Sequence, residues 1–209
     1  MYSLPYFTEK DRAAMIAFMH QHPFALFTGS DVHHQPVATQ IPFLIREEGE
    51  RIFLKGHIMR QTDHHKAFMA NPHALVVFTG PHTYVSASWY SNPQQGSTWN
   101  YMSVHVKGTV RFLEHAELLE VLEQTTSLFE NNSESPSLME KLPQEYIDRL
   151  TKAIVAIEIE VLQMDGVFKL SQNRDKESYL NIIKKLKEGD TDAKKIAAEM
   201  EVRQAWGRG

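Results

Sequence analysis

The sequence predicts an α+β domain: an antiparallel β-barrel of six or seven strands with helices at its edges. Three observations carry this. Between residues 24 and 112 short apolar runs, one of them strictly alternating, are separated by polar turns. Helix signals sit at the chain start, at residues 62–70 and after residue 115. Finally, 209 residues with 42% hydrophobic content can bury a core without disulfides or metals.

In chain order, Thr8-Glu9-Lys10-Asp11 resembles a helix-capping start, and Met15, Phe18, Met19 and His22 follow at helical spacing, so a helix is predicted over residues 8–21. His22-Pro23 ends it. Residues 24–56 read as a three-stranded antiparallel meander whose middle strand alternates through Val37, Thr39, Ile41, Phe43 and Ile45. A short helix over residues 62–70, capped by Thr62 or Asp63, closes at Asn71-Pro72. ALVVFTG resumes a strand, a turn is expected at Gly80-Pro81-His82, and Ser86-Ala87-Ser88 falls in a strand-like run. WNYMSVHVKGTVRFLE is the longest strand candidate. A helix over about 115–130, a soft loop, a short helix after Pro143 and a last strand, AIVAIEIEVLQM, complete the barrel. Two polar helices, SYLNIIKKLKEG and TDAKKIAAEMEVRQAW, form the tail on either side of Gly189-Asp190.

Composition removes several function classes. With 22 Lys+Arg against 26 Asp+Glu the net charge is −4, which argues against a surface built wholly to hold nucleic acid. The charge is uneven: residues 171–209 hold 9 basic and 7 acidic residues, and residues 1–170 hold 13 and 19. The absence of cysteine excludes thiolate zinc sites, iron–sulfur clusters and a cysteine nucleophile. No run of about 18 apolar residues occurs, and MYSLPYFTEKDR lacks the regions of a signal peptide, so a cytoplasmic protein without a membrane partner is expected.

Five constellations remain. The 11 histidines invite a metal site, but His33-His34, His64-His65 and His73 lack the H-x-x-x-H spacing that places two imidazoles on one helical face, and no metal ligand set is assigned. Ser86 and Ser88 lack a G-x-S-x-G elbow, so no catalytic residue is assigned either. LKGHIMRQTDHHK combines a glycine, the cations Arg60 and Lys66, the Thr62 hydroxyl and a helix start, the parts of a monophosphate site; the plainer reading is an ordinary strand-to-helix connection. Trp89, Tyr90, Trp99 and Tyr101, with Asn100 between aromatics, suit a flat aromatic ligand or simply core or interface packing. In KLSQNR, Lys169, Ser171, Gln172, Asn173 and Arg174 either close over a ligand or serve the next helix, with Asn173 or Ser171 as its cap.

ATQIPF (residues 38–43), GPHTYVSASWY (80–90), STWNYMSVHVKG (97–108) and KLSQN (169–173), in this order and spacing, closely resemble the PaiB family of FMN-binding negative transcriptional regulators, over nearly the whole chain from Tyr2 to about Arg203. The resemblance implies an FMN-binding split β-barrel similar to that of pyridoxamine-phosphate oxidase, normally a homodimer with the flavin between subunits. Residues 1–168 would be the barrel with flanking helices, and residues 169–209 a helical extension packed on the barrel or the partner subunit. On the phosphate side of FMN the resemblance implies Lys55, His57, Arg60, Gln61 and Thr62; on the ring side it implies Thr39, Gln40, Ile41 and Pro42, with Trp99, Asn100 and Tyr101 approaching from the partner or a neighbouring strand. Relatives often read G-H-x-A-K-A-N-P-x-W at the turn, where this chain has GHIMRQTDHHK; Asp63 thereby sets a negative charge beside the phosphate position and weighs against tight flavin binding.

Three functions follow. The first is the PaiB-type regulator. DNA enters as its partner through the resemblance alone: there is no helix-turn-helix signature, and Lys184, Lys185, Lys187, Lys194 and Lys195 are interleaved with acids as on any solvated helix. The second is a flavin-dependent oxidoreductase in which the cofactor carries the electrons and His57 or His105 donates a proton, although a histidine between valines is ordinarily a packed residue. Haem binding, which needs only one imidazole, is a distant third.

Overall fold

The computed structural model describes Tyr2 and residues 4–203. The described residues form eight strands and six α-helices in the order β1 (Thr8–Glu9), α1 (Arg12–Gln21), β2 (Phe24–Ser30), β3 (Pro36–Pro42), β4 (Leu44–Glu48), β5 (Arg51–Met59), α2 (Asp63–Ala70), β6 (His73–Val85), β7 (Thr98–Phe112), α3 (His115–Glu130), α4 (Gln144–Ala153), β8 (Ile154–Lys169), α5 (Lys176–Lys187) and α6 (Thr191–Val202). The strand order in the sheet is β3-β2-β6-β7-β8-β5-β4, with β1 pairing on β8, and β1–β8, β2–β3, β2–β6, β4–β5 and β5–β8 pair antiparallel.

Two compact units divide the chain. One comprises Met19–Phe78 and His105–Met164; the other comprises Met1–Phe18, Thr79–Val104 and Asp165–Gly209. The long strands β6, β7 and β8 contribute to both.

In the first unit β2 and β3 form one hairpin and β4 and β5 another. These hairpins lie at opposite ends of the strand order, so the expected three-stranded meander is corrected to two hairpins. The chain breaks at Phe43, which is buried rather than continuing the alternation of one strand. β5 packs closely against the end of β3: a Cβ on Gly56 would lie 3.0 Å from the Pro42 carbonyl oxygen and 3.1 Å from Ile41 Cδ1. Phe27 stacks on Phe68 at 4.2 Å and meets Phe43 edge-on at 5.9 Å, filling the interior. A second cluster joins Leu113, Leu118, Val121, Leu122, Ile154 and Ala156.

In the second unit α5 and α6 bury Tyr179, Ile182, Ile183, Ile196 and Met200, and the Tyr179 hydroxyl donates to the Met200 carbonyl at 2.8 Å. Phe18 packs on Phe168 at 5.2 Å.

Several expected boundaries change. The first helix begins at Arg12 because Asp11, not Thr8, caps it by accepting the N–H groups of Ala13 and Ala14, and Thr8–Glu9 are drawn into the sheet instead. β6 runs through Gly80-Pro81-His82 without turning. Ala87–Trp89 forms a 3₁₀ turn capped by Ser86 rather than a strand. The cap of α5 is Asp175, whose carboxylate accepts the Ser178 N–H at 2.9 Å; Asn173 and Ser171 do not serve. The expected tail helix extended to Trp206, and Gln204–Trp206 lie outside the described residues.

Candidate functional site

On β3 alternation divides the four ring-side residues. Thr39 lies opposite the fully buried Phe27 and shares the inner face with Ile41, whereas Gln40 and Pro42 lie opposite the partly exposed Leu26 and Phe24 on the outer face. A flat ligand on the outer face would therefore meet the Gln40 side chain, the Pro42 ring and the strand backbone.

On β5 Gly56 faces inward, which turns Lys55 and His57 to the other side. Lys55 sits across from Glu158 on β8, with its Nζ 3.4 Å from the carboxylate and both side chains largely buried. Arg111 reaches the same carboxylate at 3.0 Å and also pairs with Glu117 at 3.2 Å. His57 is half-buried opposite Ala156, and desolvation pushes its pKa below the ordinary value, so it stands neutral at pH 7.

After β5 the backbone turns sharply: Gln61 has φ of 66°, and its N–H donates to Nδ1 of the buried His65 at 3.3 Å. Thr62 caps α2, accepting the His65 N–H and donating to the Met59 carbonyl. Asp63, the acid that weighed against an anion, accepts the His64 N–H at 2.7 Å and pairs with His64 Nδ1 at 3.0 Å. Its charge is therefore engaged locally. Arg60 is anchored by its Nε, which donates to the Ile154 carbonyl at 2.9 Å, and its terminal nitrogens have no bonding partner among the described residues. Arg60 lines a cleft of about 420 Å³ with His115, Asp148, Thr151 and Lys152.

The structure thus brings Arg60, Gln61 and Thr62 into one turn and Lys55 and His57 onto one face of β5. Sequence reading missed Glu158 and Arg111 as partners of Lys55, and Lys152 and His115 beside Arg60. An acid alternating with isoleucines in AIEIE was the available signal for Glu158; the Arg60 neighbours come from distant helices, where spacing carries none.

Trp99, Asn100 and Tyr101 belong to the other unit. Trp99 is exposed and its ring meets His82 at 6.1 Å and Tyr84 at 6.0 Å. Asn100 is fully buried and accepts the Ser171 hydroxyl at 3.0 Å. Burial raises the pKa of the Tyr101 phenol.

Comparison with known proteins gives these positions a context. A family model described as "Putative FMN-binding domain" matches residues 1–163. The chain is 32% identical over 202 residues to the protease synthase and sporulation protein PAI 2 of Bacillus subtilis, covering 96% of this chain and 97% of that one. Among solved structures, the flavocytochrome Anf3 of Azotobacter vinelandii aligns with a TM-score of 0.56 at 15% identity, over 86% of this chain and 78% of that chain. The FAD and heme binding protein of Mycobacterium smegmatis aligns at 0.55 and 17%, over 78% and 73%. Both are alike in fold alone. Given the match over nearly its whole length to PAI 2, and the family model over residues 1–163, the chain belongs to the PaiB family of FMN-binding split β-barrel proteins.

Proposed function

We propose that the chain is an FMN-binding negative transcriptional regulator of the PaiB type, acting in the cytoplasm as a homodimer. The observation that carries the reading is its likeness to PAI 2 across 96% of the chain, joined to a turn whose chemistry suits a phosphate. Arg60 offers terminal guanidinium N–H groups, Thr62 and Gln61 offer polar atoms at a helix start, and neutral His57 offers a ring nitrogen on the same strand as Lys55. Thr39, Gln40, Ile41 and Pro42 would support the isoalloxazine, with Trp99 and Tyr101, contributed by the second subunit of the dimer, as further contacts; Asn100, fully buried on Ser171, is left out of that set. When bound, FMN supplies a redox-active ring; the protein's own groups bind and orient it.

The dimer reading rests on one sheet face. Phe24, Leu26, Ala38 and Pro42, with Leu75 and Val77 of β6 alongside, form an apolar stripe, and Phe24 and Leu26 keep 58% and 37% of their surface exposed. Among the described residues no helix is long and apolar enough to cross a membrane.

Adding FMN to purified protein tests the core of the reading: saturable uptake with the absorption bands of oxidised flavin is expected, and Arg60→Ala weakens it more than His33→Ala. Failure of the unvaried chain to take up FMN overturns the proposal. For the regulator, a gel shift with upstream DNA of its own operon should weaken steeply with salt, and no shift at low salt excludes direct repression.

A further inference from the structure

A second cationic pocket lies wholly inside the unit formed by Met1–Phe18, Thr79–Val104 and Asp165–Gly209. Its volume is about 170 Å³, and its lining includes Thr98, Asn100, Lys169, Ser171 and Arg174, with the Tyr2 and Phe7 rings alongside. Among the described residues no carboxylate lines it, and neither Lys169 nor Arg174 has an acidic partner.

Both cations are held in place by neutral groups. The Lys169 ammonium donates to the Thr98 hydroxyl and to the Trp99 carbonyl at 2.8 Å, which leaves one of its three N–H groups over. It lies 5.7 Å from the Phe7 ring and 6.0 Å from the Tyr2 ring. Arg174 donates to the Gln95 amide oxygen and stacks over Tyr90 at 4.1 Å. Burial lowers the Lys169 pKa, and the neighbouring charge it feels is that of Arg174, also positive. Two like charges in one partly dry pocket are costly unless a counter-charge joins them.

Two further observations point the same way. Ser171 is held at φ of 62°, outside the usual region for a non-glycine residue, and its buried hydroxyl is fixed on Asn100. The buried Tyr90 hydroxyl, on the ring beneath Arg174, has no hydrogen-bond partner among the described residues.

We propose that this pocket is a binding site for a compact phosphate or a small molecule presenting one, held by Lys169 and Arg174 and separate from the flavin turn at Arg60. A space of about 170 Å³ holds a phosphate with a short attachment.

Calorimetric titration of the full-length protein with inorganic phosphate, in phosphate-free buffer with and without saturating FMN, tests it. Saturable binding of one phosphate per chain is expected, with an affinity changed less than about twofold by FMN or by Arg60→Ala. Lys169→Met and Arg174→Gln should each weaken it by about tenfold or more, the size of a lost charge-assisted hydrogen bond, and Lys169→Arg should recover most of the loss. Thermal melts without phosphate identify any variant that fails to fold; Arg174→Gln, a change of a half-exposed side chain, then carries the comparison. The proposal is overturned by absence of saturable binding, by unchanged affinity in both cation variants, or by displacement of phosphate on adding FMN, which would make the pocket part of the flavin site.

Discussion

Lys55, Glu158 and Arg111 show how one acid can hold two cations, one of which, Lys55, is a candidate for binding an anion. Glu158→Gln leaves Lys55 largely buried without its counter-charge and should cost about 1–3 kcal/mol in urea unfolding, whereas Lys55→Met costs less because Arg111 still holds Glu158. His57 and His65 carry the pH dependence. Burial holds both imidazoles below the ordinary 6.5, so over the range between the folded and unfolded pKa values the unfolded chain binds more protons. Stability should therefore be constant above about pH 7.5 and fall as pH drops through about 6.5, with His57→Gln reducing that slope in denaturation curves taken at stepped pH. A slope unchanged by the substitution would show that His57 is not among the groups responsible.

Gly108 sets how closely two elements can approach. A Cβ there would meet the Glu160 carbonyl oxygen of β8 at 2.3 Å and Ile159 Cγ2 at 2.6 Å, and backbone in a packed sheet cannot give way. Gly108→Ala should lose about 3 kcal/mol by urea denaturation, while Gly96→Ala, with open space around it, stays within about 0.5 kcal/mol. Elements whose information is local were legible in the sequence. The α2 cap at Thr62, the break at Asn71-Pro72 and the two tail helices match because capping and helical spacing are short-range effects. Gly80-Pro81 misled because it reads as a turn, yet the pairing of β6 with β2 ends at Val77, before Pro81 is reached, so its missing N–H costs that ladder nothing. The separation of β3 from β4 was illegible for a different reason: which hairpin lies where in a sheet is decided by partners far along the chain, and alternation is blind to it. The candidate site divides likewise. Lys55, His57 and the turn at Arg60 were visible as one stretch, whereas Glu158, Arg111 and Lys152 join it only through folding.

For the whole molecule, the outer stripe of β2 and β3 has the character of a surface waiting for cover. Leu26→Glu places a charge opposite Gln40 at the centre of that stripe and should halve the mass seen by light scattering if the stripe is the dimer contact, with little change in the thermal melt of the monomer. An unchanged mass would place the contact elsewhere. A different consequence concerns the order in which the chain is made. The unit that holds the Lys169 pocket is assembled from the first, a middle and the last stretch of the sequence: Thr8 and Glu9 pair with Val167 and Gly166, and Glu9 meets Arg203 at 2.5 Å. At about 5–20 residues per second, Met15 and Phe18 are made roughly 8–30 seconds before their partners Gly166 and Phe168. That early stretch therefore spends the interval with these apolar side chains uncovered, until residues 166–168 are made.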